Sequence, residues 1–346
     1  MPRSTELPLS AQTAYAQLLE AALAADHQRT VAGLSGSFAK KIVKGATYWY
    51  YQYTEPSGKL RQIYVGPDNE AVAALRRQKS QAGTSEQLGP LARAASALGC
   101  SELLARHARV LERLSEYGFF RAGGVLIGTH AFLAFGNMLG VRWASADRTQ
   151  DVDFAHAGKR MSIALPTNVE LDTHAAVDSL EMGFLPIQDL STKAGATYLN
   201  PRDPAFRLDF VAPRHRGGDK PFSHPRIGVT LQPLRFIEYL LEDVQHAVVF
   251  SGDRVVLVNV PHPARYALHK LVVLGERKGA FATKSTKDLE QAASLLERLS
   301  ETRRSDVERA WKNLSSRGPG WRSRARRGVD VLAKQAPELP VLRLLR

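Results

Sequence analysis

The order of hydrophobic patterns along this chain predicts an α+β fold, in which helices precede a run of strands joined by short turns. Three observations carry that expectation. An apolar stretch, "GGVLIGTHAFLAFGNMLGV" (Gly123 to Val141), breaks at "GTH" into a strand followed by a helix. Strand-like pieces then succeed one another at "TQDVDFA", "FLPIQDL", "ATYLN", "AFRLDFVAP", "GVTLQP" and "RVVLVNVP". After Pro263 the spacing of apolar residues turns helical. The chain divides accordingly into an N-terminal region (1–90), a central α+β region (91–260) and a C-terminal helical, basic region (261–346).

In the first region an amphipathic helix begins after Ser10, with Tyr15, Leu18, Leu19 and Ala22 at helical spacing. In "ATYWYYQYTEPSGKLRQIYVGP" two β-rich runs flank "EPSG", where Pro56 and Gly58 suit a hairpin turn. "SQAGTSEQLGP" (Ser80 to Pro90) has the composition of a linker. The central region opens with a helix through "ELLARHARVLERLSEYGF", and "NVELDTHAAVDSLEMGF" reads as a helix stopped by Gly183. In the third region "PARYALHKLVVLGERKG" has proline near its start and glycine near its end, as helices do. Leu289, Ala292, Ala293, Leu296 and Leu299 form one face of the helix that follows.

At 346 residues and 44% hydrophobic, with 23% charged, the chain can bury a large core and is expected to fold. Its formal charge of +13, from 47 basic and 34 acidic residues, favours anionic partners: nucleic acid, nucleotide phosphates or an acidic protein. Cys100 is the one cysteine, which leaves no intrachain disulfide and points to a reducing, cytoplasmic setting. "MPRSTELPLSAQ" lacks the apolar core of a signal peptide. Residues 123–141 are long enough to span a membrane, but His130, Asn137 and the interior glycines favour a buried strand–turn–helix. No metal-binding His-x-x-x-His pair, phosphate loop, dinucleotide fingerprint or nucleophile elbow is present.

The chemistry concentrates in "RTQDVDFA". In a strand, residues i and i+2 share a face, so Asp151 and Asp153 project together while Val152 and Phe154 enter the core. Two carboxylates this close repel unless a cation neutralises them. Mg²⁺ or Mn²⁺ suits such oxygen donors and is usually shared with substrate phosphates. "AFRLDFVAP" repeats the logic: Phe206, Leu208 and Phe210 take one face and Asp209 the other. If the two strands pair, the three aspartates converge; the alternative is a strand-end pair that meets solvent. Gly128 and Thr129 provide either a phosphate-facing turn at a helix N-terminus or an ordinary strand-to-helix turn. His130 beside them reads best as a core or helix-cap histidine. Arg148 could pair with phosphate or with Asp151. Lys270 and Arg277, seven apart, share a helix face that suits one triphosphate or plain solvation. Asp288 could simply stabilise the first turn of its helix.

"LIGTHAFLAFGNMLG…RTQDVDF…RLDFV" resembles the polymerase-beta-type nucleotidyltransferase superfamily. Its signature is an apolar residue, Gly, then Gly or Ser, an Asp-x-Asp or Asp-x-Glu strand, and a third Asp on a neighbouring strand. "GTHAF…GNMLGVRW…TQDVDFA" and the N-terminal hairpin look closer to a bacterial branch of uncharacterised nucleotidyltransferase-fold proteins. "RTQDVDF" and "KLVVLGERK…KDLEQA" are similar to nucleotidyltransferase toxins of abortive-infection systems. Thr129 departs from the usual Gly or Ser, and the interval from Gly128 to Asp151 is longer than usual. The resemblance implies a polymerase-beta-like core, a mixed sheet flanked by helices, covering roughly Leu103 to Leu299. It implies that Asp151, Asp153 and Asp209 ligate magnesium, with Asp209 helping to activate the attacking hydroxyl. Gly128, Thr129 and Lys270 would contact the nucleotide, an NTP, and an antitoxin partner becomes a possibility.

Two segments carry most of the excess charge. Residues 40–79 hold eight basic and three acidic side chains, and residues 301–346 hold twelve and five. In the first, Trp49, Tyr51 and Tyr53 alternate with Tyr48 and Tyr50; one aromatic face is expected to pack, while the basic residues suit either nucleic acid or solvent. The expected activity is transfer of a nucleoside monophosphate from an NTP to a hydroxyl of RNA, tRNA or protein. The rivals are a non-catalytic nucleic-acid-binding protein of the same fold and a metal-dependent nuclease.

Overall fold

The computed structural model describes residues 2–28, 36–43, 45–54, 60–80, 84–145, 149–157, 171–188, 194–214, 218–225, 227–276 and 282–345. The N-terminal part comprises β1 (Ser4–Glu6), α1 (Leu9–Gln28), β2 (Gly36–Val43), β3 (Ala46–Thr54), β4 (Leu60–Pro67), α2 (Glu70–Ser80) and α3 (Thr84–Ala97). The middle begins with α4 (Ala105–Glu116), β5 (Gly124–Leu126), α5 (Gly128–Met138), β6 (Val141–Trp143), β7 (Val152–His156) and α6 (Thr173–Asp178). It continues with β8 (Leu185–Gln188), β9 (Ala194–Asn200), β10 (Asp203–Pro213), β11 (Phe222–His224), β12 (Val229–Leu234), α7 (Ile237–Leu241), β13 (Val244–Ser251) and β14 (Arg254–Pro261). Helices close the chain: α8 (Pro263–Glu276), α9 (Ala282–Thr302), α10 (Arg304–Ser315), α11 (Pro319–Gln335) and α12 (Leu342–Leu345).

The expected mixed sheet flanked by helices is present. Its seven strands run β11-β12-β10-β7-β5, with β9 on the free half of β10 and β8 beyond it. β10 pairs in parallel with β7 and β12 and antiparallel with β9; β5 is antiparallel to β7. Alternation fixes the register: Val152, Phe154, Phe206, Leu208 and Phe210 are at most 1% exposed, while Asp153 and Asp209 between them are half-buried. Behind the aspartates the rings of Phe154 and Phe210 stack with centroids 5.1 Å apart, and Phe119 meets both edge-on. A one-residue slip of either strand would expose these aromatics and bury a carboxylate, so the core itself enforces the pairing.

One cluster of buried side chains runs from Leu103 to Leu345 and joins the sheet to α8–α12. α8 and α11 lie close because Gly328 has no side chain: a Cβ there would stand 2.0 Å from the Leu271 carbonyl. A second cluster packs α1 and α3 on Val248 and Phe250 of β13.

Residues 123–141 form the expected buried strand and helix, β5 and α5, with the start of β6, and among the described residues no helix is long and apolar enough to cross a membrane. Other local expectations change. The linker expected at 80–90 is largely the start of α3, because Leu88, Ala92 and Ala95 bury one face despite Pro90. The expected hairpin is a three-stranded sheet, β2-β3-β4, whose first strand, "GSFAKKIV", was missed. The helix through "NVELDTHAAVDS" shrinks to α6, capped by the Asp172 carboxylate on the Ala175 amide; residues 158–170 lie outside the described residues.

Candidate nucleotide site

The parallel ladder sets the geometry of the acids. Asp209 is the direct Cα partner of Asp153, with Leu208 opposite Val152 and Phe210 opposite Phe154. Asp151 lies one residue before β7. Its carboxylate accepts a hydrogen bond from the Thr149 hydroxyl at 2.9 Å and faces the Arg207 guanidinium at 3.5 Å. The Thr197 hydroxyl, across the antiparallel ladder, donates to Asp209. Among the described residues no group of three or more His, Cys, Asp or Glu side chains is close enough to hold a metal by itself. The donors are all oxygen, as magnesium requires, but further oxygens from a ligand must complete any such shell.

Gly128 brings the turn onto this pair. Its φ is +62°, a left-handed conformation that favours glycine, and a Cβ there would stand 2.1 Å from Oδ2 of Asp153. The Ile127 amide donates to the Asp153 carbonyl at 3.0 Å, tying turn to strand. α5 starts at Gly128, its N-cap residue Ile127 makes no side-chain cap, and its first turn lies beside Asp153, where a helix N-terminus favours a phosphate. The turn is gripped from behind by the C-terminal helices. The buried Tyr266 hydroxyl lies 2.8 Å from the Gly128 carbonyl and 3.0 Å from Oε1 of Gln291, and Nε2 of Gln291 lies 3.5 Å from the Thr129 hydroxyl. Burial, then the charges of Asp288 and Asp153, push the Tyr266 phenol well above its ordinary range, which keeps it a hydrogen-bond donor.

Lys270 is positioned, but engaged. Its ammonium meets the Asp288 carboxylate at 2.5 Å, both side chains 13% exposed, and sits 4.9 Å from the centre of the Tyr266 ring. Arg148 and Arg277 lie outside the described residues. His130 is a core histidine, as its apolar setting suggested: it is 1% exposed and shares a 2.9 Å hydrogen bond with His107, also 1% exposed. Burial first, then the Arg106 charge, lowers His107 to about 4; burial first, then the cost of charging it beside His107, lowers His130 to about 3; the negative charge of Asp151 opposes both shifts. Sequence reasoning missed Thr149, Thr197, Arg207, Tyr266, Gln291 and His107. Only Arg207 carried a signal, two residues before Asp209 and therefore on its face of the strand.

Paired carboxylates in register beside a glycine turn at a helix N-terminus define a site suited to phosphate groups bound through a cation. The nucleotidyltransferase family model matches residues 105–316, more than half of the chain and inclusive of all these residues. The chain belongs to that family, and membership places it, in general terms, among enzymes of nucleotidyl transfer. A search of curated proteins finds no match. Among solved structures, an antigenic nucleotidyltransferase-like protein from Paracoccidioides brasiliensis aligns over 65% of this chain and 95% of that one. Its identity is 15% and its TM-score 0.30, a likeness that carries no argument.

Proposed function

We propose that this chain is a metal-dependent nucleotidyltransferase with a polymerase-beta-like core. It would move a nucleoside monophosphate from an NTP to a hydroxyl of an acceptor and release pyrophosphate. The observation that carries the reading is the contact of Gly128 with Asp153, whose Cα partner is Asp209. Asp153, Asp209 and Asp151 would hold Mg²⁺ or Mn²⁺, which when bound neutralises charge on the triphosphate. The α5 amides at Gly128 and Thr129 would orient the phosphates, with Lys270 supplying a cation from α8; Arg277, seven residues on in sequence, is proposed as a second. Thr197 holds the Asp209 carboxylate in place to accept the proton of the attacking hydroxyl. The hydroxyl oxygen bonds to the α-phosphorus as its bond to the bridging oxygen breaks, and that oxygen leaves with pyrophosphate. Such chemistry depends mainly on positioning and charge.

The basic segments favour RNA, tRNA included, as acceptor over protein, and a cytoplasmic setting suits both nucleotide and RNA. A toxin role with an antitoxin partner rests on the resemblance of "RTQDVDF" and "KLVVLGERK…KDLEQA"; growth arrest on expression would test it. The enzyme reading is tested by incubating the protein with each α-labelled NTP, Mg²⁺ or Mn²⁺, and RNA or cell extract, beside an Asp151→Asn/Asp153→Asn variant. Label should pass to an acceptor with the native protein only. RNA binding that survives the substitutions without any transfer would favour a non-catalytic binder, and shortened RNA a nuclease.

A further inference from the structure

From the N-terminal sheet we infer a second binding site: the open face of β2-β3-β4 holds single-stranded nucleic acid. The two faces of this sheet differ. On one, Trp49 and Tyr51 are 8% and 1% exposed, the Trp49 indole donates to Asp68, and the Arg76 guanidinium of α2 lies 3.6 Å from the Trp49 ring centre. That face is covered around Trp49 and Tyr51, while Ile42 and Ile63 at its margins are exposed. The other carries Tyr48, Tyr50 and Tyr64, with ring centroids 6.2 Å apart for 48–64 and 5.5 Å for 50–64. Tyr64 is 53% exposed. Register and pleat put Lys41, Gln52 and Gln62 on the same face. The Lys41 ammonium sits 4.4 Å from the Tyr50 ring centre and donates to Gln62 at 2.7 Å; Gln62 donates to Gln52 at 3.1 Å.

The occupant follows from chemistry. Three tyrosines on an exposed sheet face offer ring surfaces on which unpaired bases can stack, and lysine offers a contact for the backbone. The three strands contain no aspartate or glutamate. The nearby acids Asp68 and Glu70 are engaged by Trp49 and Arg77, and residues 40–79 hold eight basic side chains against three acidic. Duplexes keep their base faces hidden, so the fit is to a single strand. As the holder of an RNA acceptor the face rests on the proposed transferase reading, whereas binding itself does not.

The test uses the full chain without nucleotide or metal. Fluorescein-labelled oligonucleotides of about a dozen residues, as single-stranded RNA, single-stranded DNA and duplex, are titrated and read by anisotropy. Single strands should bind and the duplex bind much more weakly. Tyr50→Ala/Tyr64→Ala should weaken binding about tenfold or more, Tyr50→Phe/Tyr64→Phe should leave it within about twofold, and Lys41→Gln should flatten the salt dependence. The RNA and DNA arms show which sugar is preferred. Asp153→Asn should bind as well as the native chain, so a native chain that binds single strands without transferring label breaks only the catalytic reading. Native-like binding by the alanine pair, equal loss in the phenylalanine pair, or no single-strand binding overturns the inference. A change in self-association by the alanine pair, with nucleic acid unaffected, makes the face a protein interface and overturns it too.

Discussion

The strand wall and the helix wall of the site are positioned by different means. On the strand wall Asp153 and Asp209 are neighbours in a parallel ladder, and stacked Phe154 and Phe210 fix that ladder from behind. On the helix wall Lys270 reaches Asp288 of the next helix, and the link to the glycine turn runs through the Tyr266 and Gln291 hydrogen bonds. Backbone pairing leaves a carboxylate little freedom, whereas a long side chain on a packed helix can exchange partners. Changes to the strand wall should therefore abolish activity, and changes to the helix wall should tune it.

The sharpest way to break this contrast is Gly128→Ala. The added methyl group meets the Asp153 carboxylate, and alanine is disfavoured at φ +62° by about 1–2 kcal/mol. Moving a reacting group by about 1 Å can cost about a hundredfold in rate, so transfer should fall by at least that much. Thermal melting should drop by only a few degrees. Native rates in a destabilised variant would reduce Gly128 to an ordinary turn residue.

Tyr266→Phe should come next. It removes the one hydroxyl donor shared by two buried acceptors, the Gly128 carbonyl and Oε1 of Gln291, a loss of about 1–3 kcal/mol readable by urea unfolding. Because the turn rather than the acids loosens, KM for the NTP should rise more than kcat falls. Asp288→Asn should have a smaller effect and the opposite sign. Freed from its carboxylate, Lys270 should lower KM for the NTP severalfold, and Lys270→Met should raise it. If both variants shift KM in the same direction, the ion pair only braces the two helices.

What the sequence showed, and what it hid, follows the same division. The period-two alternation around Asp153 and Asp209 could be read directly, because burial of Phe154, Leu208 and Phe210 is what the pattern encodes. Their pairing could be expected, yet the pattern alone does not dictate it, since β7 and β10 are separated by α6, β8 and β9. Tyr266 and Gln291 gave no signal: in a helical apolar stripe a tyrosine reads as core, and its hydroxyl finds Gly128 only after α8 packs. Asp288 looked like a helix-start carboxylate because a partner 18 residues away leaves no local trace. β2 was missed since the apolar residues of "GSFAKKIV" fall in adjacent pairs, Phe38–Ala39 and Ile42–Val43, so no period-two alternation marks it. The satellite sheet also lies outside both main hydrophobic clusters, so no core pattern marks it.

The smallest expected effect concerns the buried histidine pair beside Asp151. With His107 lowered to about 4 and His130 to about 3, the folded chain holds both imidazoles neutral, while the unfolded chain protonates them near their ordinary 6.5. A proton added to the folded pair would place a charge at 1% exposure, facing Arg106 and Lys287, with Asp151 and Asp203 as the offsetting acids. The stability from keeping them neutral is therefore complete above about pH 6.5 and is lost as pH falls toward about 4 and then about 3. His156, His262 and His269 are lowered too and add to the same limb. His130→Gln, whatever its baseline stability, should show a shallower fall in Tm between pH 6.5 and 4 than the native chain. Parallel curves would mean that the pair opens to solvent before it titrates, and that the wall behind Asp151 is looser than the strand ladder in front of it.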